Sequence, residues 1–168
     1  SSGNAVLSAR RWLNLGVCDA VVVGGVDSLC ELTILGFGAL EALSNTYCKP
    51  LTADRDGINI SEAAAVFLVS REPCGAKLIG GAASSDAYHI SAPHPQGDGA
   101  YRAMQGALRD AGIAASAVDY LNLHGTGTLQ NDSMECAAVM RLFGSSTPCS
   151  STKALTGHAL GASSALEL

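Results

Sequence analysis

The sequence predicts an α/β fold with helices sandwiching sheets, and three observations support this prediction. Short unbroken apolar runs, such as residues 20–25, alternate with stretches of helical periodicity, as buried strands and their covering helices do. Hydrophobic residues make up 48% of the 168 residues and charged residues only 15%, which is typical of chains that bury most of their segments. The 19 glycines and the many alanines allow neighbouring elements to approach closely.

Apolar residues at helical spacing predict the helices. The first covers Ser2–Leu15, stops at Gly16, and carries its apolar residues at Ala5, Val6, Ala9, Trp12 and Leu13. Asp132 and Glu135 form a capping-box-like pattern, which predicts the start of a helix that runs to Phe143. The other predicted helices are Glu31–Leu43, which Gly36 and Gly38 weaken, Ala100–Ala111, and a last helix that starts near Gly157.

Apolar runs bounded by turn residues predict the strands. They are Ala20–Gly25, a pair formed by Ala63–Val69 with Lys77–Gly80, Val118–Leu123 and Pro148–Ser151. The unbroken run in the first strand predicts that both of its faces are covered. Residues 54–57 form a turn signature, and residues 89–99, rich in Pro, Gly and His, predict a long surface or active-site loop. Both ends of the sequence fall inside predicted helices, which predicts a piece of a larger fold.

Composition and charge exclude several classes of function. The net charge of −5 and the isoelectric point near 5.2 give no electrostatic reason to expect a nucleic-acid partner. No stretch approaches the ~20 apolar residues needed to span a bilayer, and the first residues lack the basic start and apolar core of a signal peptide. We therefore expect no membrane contact and a cytoplasmic location. The six scattered cysteines are expected to be buried free thiols: Cys18, Cys30, Cys48, Cys74, Cys136 and Cys149.

The strongest chemical signal is a pair of glycine-rich loops, residues 122–128 and 151–158, each with a histidine where a strand gives way to a helix. The glycines beside His124 and His158 are expected to leave room for a substrate. Thr126 and Thr128 offer hydroxyls to a polar ligand, and Lys153 supplies a positive charge near His158. A single histidine after a strand is more often structural than catalytic, so the pattern alone leaves both roles open.

Other patterns point to no site. His89 and His94 with Asp86 have no recognised metal-ligand spacing. The short Gly-x-Gly sequences at residues 36–38 and 125–127 lack the rest of a dinucleotide fingerprint. None of the six cysteines is expected at a helix N-terminus with a basic neighbour, the setting that makes a thiolate reactive. Five arginines are interpreted as solvated faces, any exposed subset of which could touch an acidic partner: Arg10, Arg11, Arg55, Arg102 and Arg109.

Four segments, taken in order, make the chain resemble the β-ketoacyl-(acyl-carrier-protein) synthases of the thiolase superfamily. They are GFGALEALS at residues 36–44, KPLTADRDG at 49–57, HGTGT at 124–128 and KALTGHALGA at 153–162. The segment DAYHI at 86–90 resembles the elongating bacterial members. The resemblance implies a layered α-β-α-β-α fold, of which residues 1–88 would end the N-terminal half and 89–168 would begin a truncated C-terminal half.

The resemblance also implies roles for individual residues in a decarboxylative condensation of an enzyme-bound acyl group with malonyl-acyl-carrier-protein in fatty acid biosynthesis. His124 and His158 match the two histidines of a Cys-His-His triad, whose neutral N–H groups would stabilise an enolate. Lys153 matches the lysine that holds this network. Thr126 and Thr128 match threonines that bind the phosphopantetheine arm of the carrier protein. A structural network matches Asn122, Glu135 and Glu167, residues found around a cation in some members, although we expect neither a metal nor any other cofactor.

The departures from the family pattern are equally informative. The nucleophilic cysteine would stand immediately before Ser1, outside this chain, so we expect the chain to be inactive alone. The C-terminal gating loop has no counterpart, and residues 58–63 replace a commonly glycine-rich stretch. Alternatives stay open: a thiolase, or a non-catalytic synthase-like subunit that binds carrier protein or sets chain length. The partners implied are acyl carrier protein and a second copy in a homodimer.

Overall fold

The structure, a computed structural model, describes residues 1–73 and 75–168. Within these residues the helices are α1 Ser2–Asn14, α2 Glu31–Ala39, α3 Asp98–Ala111, α4 Leu129–Phe143, α5 Lys153–Thr156 and α6 Ser163–Leu166. The strands are β1 Ala20–Asp27, β2 Ala63–Ser70, β3 Leu121–Asn122 and β4 Cys149–Ser150. Short 3₁₀ turns cover Ala115–Ala117 and Leu160–Ala162. The mixture of helices and sheets agrees with the predicted α/β class.

Helix α1 covers one face of the β1–β2 sheet. Val6, Ala9 and Leu13 lie on one side of the helix and are buried, and the first two form a core cluster with Val23 of β1. The predicted stop is confirmed, since Gly16 has a φ of 70° just after the helix. Trp12 was expected in the buried stripe, but it lies 52% exposed because the neighbouring elements cover only the opposite side of α1.

Strands β1 and β2 are antiparallel, with Ala20 opposite Ser70 and Asp27 opposite Ala63. The predicted pairing of Ala63–Val69 with Lys77–Gly80 is therefore wrong. Residues 77–80 form no strand, and side chains of α1 and α3 bind backbone groups of Ile79 and Gly81. Arg10 donates to the carbonyl of Ile79 at 3.2 Å, and Gly81 N donates to Asp110 at 3.0 Å.

The second face of β1 is bare in this chain, which contradicts the prediction that both faces are covered. Val22 and Val26 are 73% and 70% exposed, and Val66 and Leu68 of β2 lie beside them on the same face. Alternation along the strands assigns one side to α1 and the other to solvent. The outer face of the β1–β2 sheet, defined by these four side chains, is therefore a continuous apolar surface.

Helices α2 and α4 differ from their predicted boundaries. Helix α2 ends at Ala39 instead of Leu43, because Glu41 adopts a φ of 52° that no helix continues through. Helix α4 starts earlier, with Thr128 as N-cap, whose side chain accepts a hydrogen bond from Asn131 N. The predicted capping box is wrong, since Asp132 and Glu135 lie inside the helix and turn to other partners.

The last segment folds back onto the start of the chain. The single helix predicted from near Gly157 is instead a 3₁₀ turn followed by α6, and Gly157, at a φ of 70°, ends the short helix α5 before them. The Ser2 Oγ donates to the carbonyl of Gly161 at 2.6 Å and accepts from Ala165 N at 3.0 Å. Asp27 accepts from Ala162 N at 2.8 Å, so segment 158–166 covers both α1 and the end of β1.

Candidate active site

Strands β3 and β4 bring the two histidine loops together. The strands are parallel, with Leu121 opposite Cys149, so the loops that follow them leave the same edge of the sheet. Leu123 N donates to the carbonyl of Ser150 at 2.8 Å, and Ser151 Oγ donates to the carbonyl of Gly125 at 2.8 Å. Because both contacts lie directly before or within the loops, the backbone fixes one loop against the other.

His124, His158 and Lys153 form one cluster. The two imidazole rings meet edge to face, with centroids 5.0 Å apart and an interplanar angle of 82°. Lys153 is buried, and its Nζ lies 3.3 Å from Nδ1 of His124 and forms an ion pair with Glu167. The sequence placed the lysine near His158, but its direct hydrogen bond goes to His124. The carboxylate of Glu167 compensates the buried ammonium.

Both imidazoles are kept neutral. Burial, followed by the positive charges of Lys153 and His158, lowers the pKa of His124 to about 3, although the residue is exposed at one edge of this chain. Burial and Lys153 lower the pKa of His158 to about 4. A buried cation nearby disfavours a second positive charge. At neutral pH each ring therefore has one N–H donor and one acceptor nitrogen.

Glu135 holds the backbone of the first loop. One carboxylate oxygen accepts from His124 N at 2.6 Å and the other from Gly125 N at 2.7 Å. Burial raises the pKa of this carboxyl, the nearby Asp132 adds to the increase, and the two backbone donors oppose it. Helix α4 thus positions His124 through a side chain in its second turn.

Asp132 ties three segments together and was missed as a site residue. Its buried carboxylate accepts from Leu51 N at 2.7 Å and from Gly127 N at 3.2 Å, so it joins the Lys49–Pro50 loop to the HGTGT loop. Arg55 lies 3.7 Å from the same carboxylate and donates to Ser133 Oγ at 3.0 Å. Its interpretation as part of a solvated face is wrong, because the guanidinium packs on the start of α4.

The two threonines predicted to bind substrate contact each other. Thr126 Oγ1 lies 3.0 Å from Thr128 Oγ1, and Thr128 also caps α4. Thr126 is buried, so its hydroxyl reaches a ligand only from the open side of the loop. Their assignment to the phosphopantetheine arm stays a prediction, as do the roles of the other site residues.

The glycines of both loops lie against serines of neighbouring loops, whereas the sequence predicted that they leave room for a substrate. Gly157 has a φ of 70°, and a Cβ there would lie 2.7 Å from the Cβ of Ser61. Gly125 has a φ of 38°, and a Cβ there would lie 2.5 Å from the Cβ of Ser151. Neighbouring loops therefore fill the space beside the histidines. A cleft of about 690 Å³ opens next to residues 153–157, with Asn59 and Ser61 in its wall.

The side chains that the resemblance connects with a cation do not converge on one ion. Asn122 donates to the backbone carbonyl of Glu167 at 3.2 Å, while the Glu167 carboxylate pairs with Lys153 and Glu135 binds backbone N–H groups. In residues 1–73 and 75–168, no three His, Cys, Asp or Glu side chains are grouped as metal ligands. The Asp86 carboxylate likewise accepts from His94 N at 2.9 Å. The donor set therefore fits a hydrogen-bond network.

The cysteines are less buried than the sequence predicted. Cys48 is buried and Cys18 is partly buried, whereas Cys30, Cys136 and Cys149 are exposed, and all five are free thiols. Cys74 lies outside the described residues. Cys30 is the N-cap of α2, and hydrogen bonds from Thr33 lower its pKa, but the adjacent charge comes from the acidic Asp27. It therefore lacks the basic neighbour of a reactive thiolate.

Comparison with protein families decides the membership of this chain. Residues 1–73 match the description "Beta-ketoacyl synthase, N-terminal domain", and residues 76–168 match "Beta-ketoacyl synthase, C-terminal domain". This chain belongs to the β-ketoacyl synthase family. The predicted family and the thiolase-like fold class are therefore confirmed, while the predicted division between residues 88 and 89 stays a prediction.

Individual β-ketoacyl synthases agree with this membership. The chain is 40% identical to 3-oxoacyl-[acyl-carrier-protein] synthase 2 of Rhizobium meliloti over 99% of its length and 44% of that protein. Identity to the synthase 2 of Staphylococcus aureus is 38%, over 98% of this chain and 45% of the relative. The chain thus spans less than half the length of these curated relatives.

Solved ketosynthase structures have the same fold. The ketosynthase ApeO in complex with its chain length factor ApeC, from Xenorhabdus doucetiae, superposes with a TM-score of 0.97 at 51% identity, over 99% of this chain and 42% of that chain. A β-ketoacyl synthase from Burkholderia phymatum gives a TM-score of 0.94 at 32% identity, over 99% of this chain and 44% of the other. In the described part of the chain, no helix is long and apolar enough to cross a membrane.

Proposed function

We propose that the complete protein is a 3-oxoacyl-(acyl-carrier-protein) synthase and that this chain supplies the decarboxylating half of its active site. The observation that carries the proposal is the pair of neutral imidazoles, 5.0 Å apart, with Lys153 buried beside them. The named relatives, which are 3-oxoacyl-(acyl-carrier-protein) synthases, support the same reaction class.

The proposed reaction uses the imidazoles as hydrogen-bond donors. The bond between the malonyl carboxyl carbon and the α-carbon breaks, carbon dioxide leaves, and the electron pair moves onto the thioester oxygen as an enolate. N–H groups of His124 and His158 stabilise that oxyanion without transferring a proton. The α-carbon then attacks the thioester carbonyl of an acyl-cysteine, and the cysteine leaves as thiolate. In this proposal the acyl-bearing cysteine belongs to the rest of the complete protein, directly before Ser1.

The contact between the two ends of the chain supports this arrangement. Ser2, at the start of α1, binds Gly161 and Ala165 through its hydroxyl, so the helix N-terminus lies against the segment that follows His158. A cysteine at the helix N-terminus would have its thiolate favoured by the unpaired N–H groups of the first turn. The substrate would arrive on the phosphopantetheine of acyl carrier protein, with no further cofactor and in the cytoplasm.

The test is malonyl-thioester decarboxylation by the complete protein. His124→Ala and His158→Ala are each expected to reduce the rate by about a hundredfold or more, the usual effect of deleting one oxyanion donor. His89→Ala is a matched control, because this loop histidine bonds to the backbone of Ser91 and Ala92. Unchanged decarboxylation in both site variants would contradict the proposal.

A second candidate follows from the similarity to the ketosynthase of X. doucetiae, which is 51% identical and is described in complex with a chain length factor. The complete protein would then work in a heterodimer with a chain-length subunit, whereas the family resemblance implies a homodimer. Native mass spectrometry of the complete protein, purified alone, tests the two: a stable dimer of one chain supports the homodimer. The residue before Ser1 provides a further test, since anything other than cysteine would indicate a non-catalytic subunit.

A further inference from the structure

Ser163 is buried beside the histidine pair. It is the first residue of α6, and 3% of its surface is exposed. Its Oγ lies 2.8 Å from Nδ1 of His158, five residues earlier in the chain. Within the described chain this hydroxyl contacts no second hydrogen-bonding group. The short distance and the burial make the pair a defined hydrogen bond.

The direction of this hydrogen bond follows from the need to satisfy both groups. A neutral imidazole carries a proton on one nitrogen and a lone pair on the other. If Nδ1 carried the proton, the buried Ser163 O–H would be left without an acceptor, which is costly. The hydroxyl therefore donates to Nδ1 of His158, and the ring proton is on Nε2.

His124 reaches the same tautomer through a different donor. An ammonium group can only donate, so Lys153 Nζ, 3.3 Å from Nδ1 of His124, requires the lone pair on that nitrogen. The ring proton of His124 is then also on Nε2. Lys153 and Ser163 thus perform matching tasks, one with a charged donor and the other with a neutral donor.

We propose that Ser163 is a positioning residue that keeps His158 in the Nε2–H tautomer, so that a donor is available to the enolate oxygen. This inference rests on the proposed function and names a residue on which it depends. A neutral donor suits this position, because a second ammonium would repel Lys153. The single negative charge of Glu167 is already paired with Lys153 and would not compensate a second positive charge. The tautomer of His158 is then set independently of the Lys153–Glu167 pair.

The direct test is the ¹⁵N NMR spectrum of the histidine side chains in the complete protein at pH 7, without substrate. The wild type is expected to show His158 with protonated Nε2 and unprotonated Nδ1. Ser163→Ala is expected to shift both ring nitrogens of His158 towards averaged values, as the Nδ1–H tautomer becomes populated. Ser163→Thr keeps the hydroxyl and is expected to restore the wild-type pattern.

Kinetics provide the second readout. Ser163→Ala is expected to lower kcat for malonyl-thioester decarboxylation by about fivefold to tenfold with KM unchanged, the usual effect of one lost hydrogen bond. Ser164→Ala is the control, because Ser164 lies on the same helix but faces Gly3. If Ser163→Ala does not fold, Ser163→Cys, with its weaker S–H donor, is expected to give an intermediate kcat.

Two failures are distinguishable. A wild-type protein without decarboxylase activity would overturn the proposed function, and the tautomer of His158 would still be readable from the spectrum. If the wild type is active and Ser163→Ala leaves both the His158 spectrum and kcat unchanged, only the role of Ser163 is overturned. The same holds for Ser163→Cys if that variant has to replace Ser163→Ala. A fall in kcat without any change in tautomer would also overturn it, since it would indicate only a structural contribution.

Discussion

Lys153 is the residue on which the charge balance of the site depends. It is 1% exposed, and its ammonium is compensated by Glu167 on one side and bonded to His124 on the other. An unpaired charge at such depth would be strongly unfavourable, so lysine, glutamate and histidine act as one unit. The same positive charge helps to keep both imidazoles neutral.

The low histidine pKa values predict the pH dependence of the reaction. Because His124 and His158 titrate at about 3 and about 4, the decarboxylation rate is expected to show no inflection near pH 6.5. The measurement is the rate of carbon dioxide release between pH 5 and 8, with circular dichroism as a control for folding. A fall in rate centred near pH 6.5 would contradict imidazoles that stay neutral over this range.

The same pKa values have a consequence for stability. In the unfolded chain the imidazoles titrate near 6.5, whereas the folded protein keeps them neutral to about 4 and about 3. As the pH falls below 6.5, the unfolded state therefore takes up protons that the folded state does not. The stabilisation is complete above this range and is progressively lost as the pH falls towards the folded pKa values.

Ser61 offers a prediction of the opposite kind. Its Oγ is buried and has no hydrogen-bond partner in the described residues, although it lies against Gly157 in the wall of the cleft. Removing an unpaired buried hydroxyl is expected to be neutral or to raise the free energy of unfolding by about 1 kcal/mol. Thermal unfolding of Ser61→Ala in the complete protein measures this.

The matched control for Ser61 is Ser151→Ala. The Ser151 hydroxyl donates to the carbonyl of Gly125 and accepts from Lys153 N at 3.3 Å, so its loss is expected to lower stability by about 1 kcal/mol. If both variants are destabilised equally, the hydroxyl of Ser61 has a partner after all.

Helix α4 is the element that fixes the HGTGT loop. Thr128 caps it, and Glu135 reaches back to the N–H groups of His124 and Gly125 with both carboxylate oxygens. This contact replaces the capping box that the sequence suggested. A helix that carries no catalytic group itself thus determines where the imidazole of His124 lies.

Glu135→Gln tests this contact. The amide keeps one acceptor oxygen but turns an NH₂ group towards a backbone N–H, so the variant is expected to lose about 2 kcal/mol of stability and most of its decarboxylase activity. Chemical unfolding and a decarboxylation assay of the complete protein measure both. Glu72→Gln, a change at an exposed position after β2, is the control. Equal behaviour of the two variants would show that Glu135 does not hold the loop.

Local patterns predicted elements well and their partners poorly. The first helix, the first strand and both histidine loops were predicted because short-range periodicity and turn residues determine them. The pairing of β2 was predicted wrongly, since its partner β1 is distant in sequence and is chosen by packing on α1. Ser163 and Asp132 were missed because a serine or aspartate at helical spacing gives no sign of burial until the fold places it.

At the scale of the whole molecule, the outer face of the β1–β2 sheet leaves a row of apolar side chains uncovered. Val22 lies directly opposite Leu68, Val26 and Val66 continue the apolar row, and all four are more than 60% exposed. Contiguous apolar surfaces of this kind mark contacts between proteins or between parts of one protein. Because the curated relatives are more than twice as long, we expect this face to be covered in the complete protein.

The bare face predicts how this chain behaves by itself. Replacing Val22 and Leu68 together by threonine keeps the strand preference and removes apolar area. Compared with the unchanged chain, we expect the double variant to give weaker fluorescence of a hydrophobic dye and less self-association in light scattering. Ile90→Thr is the control, because Ile90 is 97% exposed in a loop outside the β1–β2 sheet. If only the control reduces dye binding, the outer face of the β1–β2 sheet is not the surface that binds the dye.

The contact of Ser2 with Gly161 joins residues 159 positions apart. Contacts between residues so distant in sequence form more slowly than local contacts, so this junction is expected to form late in folding. During synthesis α1 can dock on segment 158–166 only after these residues have left the ribosome. Because that segment directly follows His158, activity of the complete protein is expected to appear only after this junction has formed.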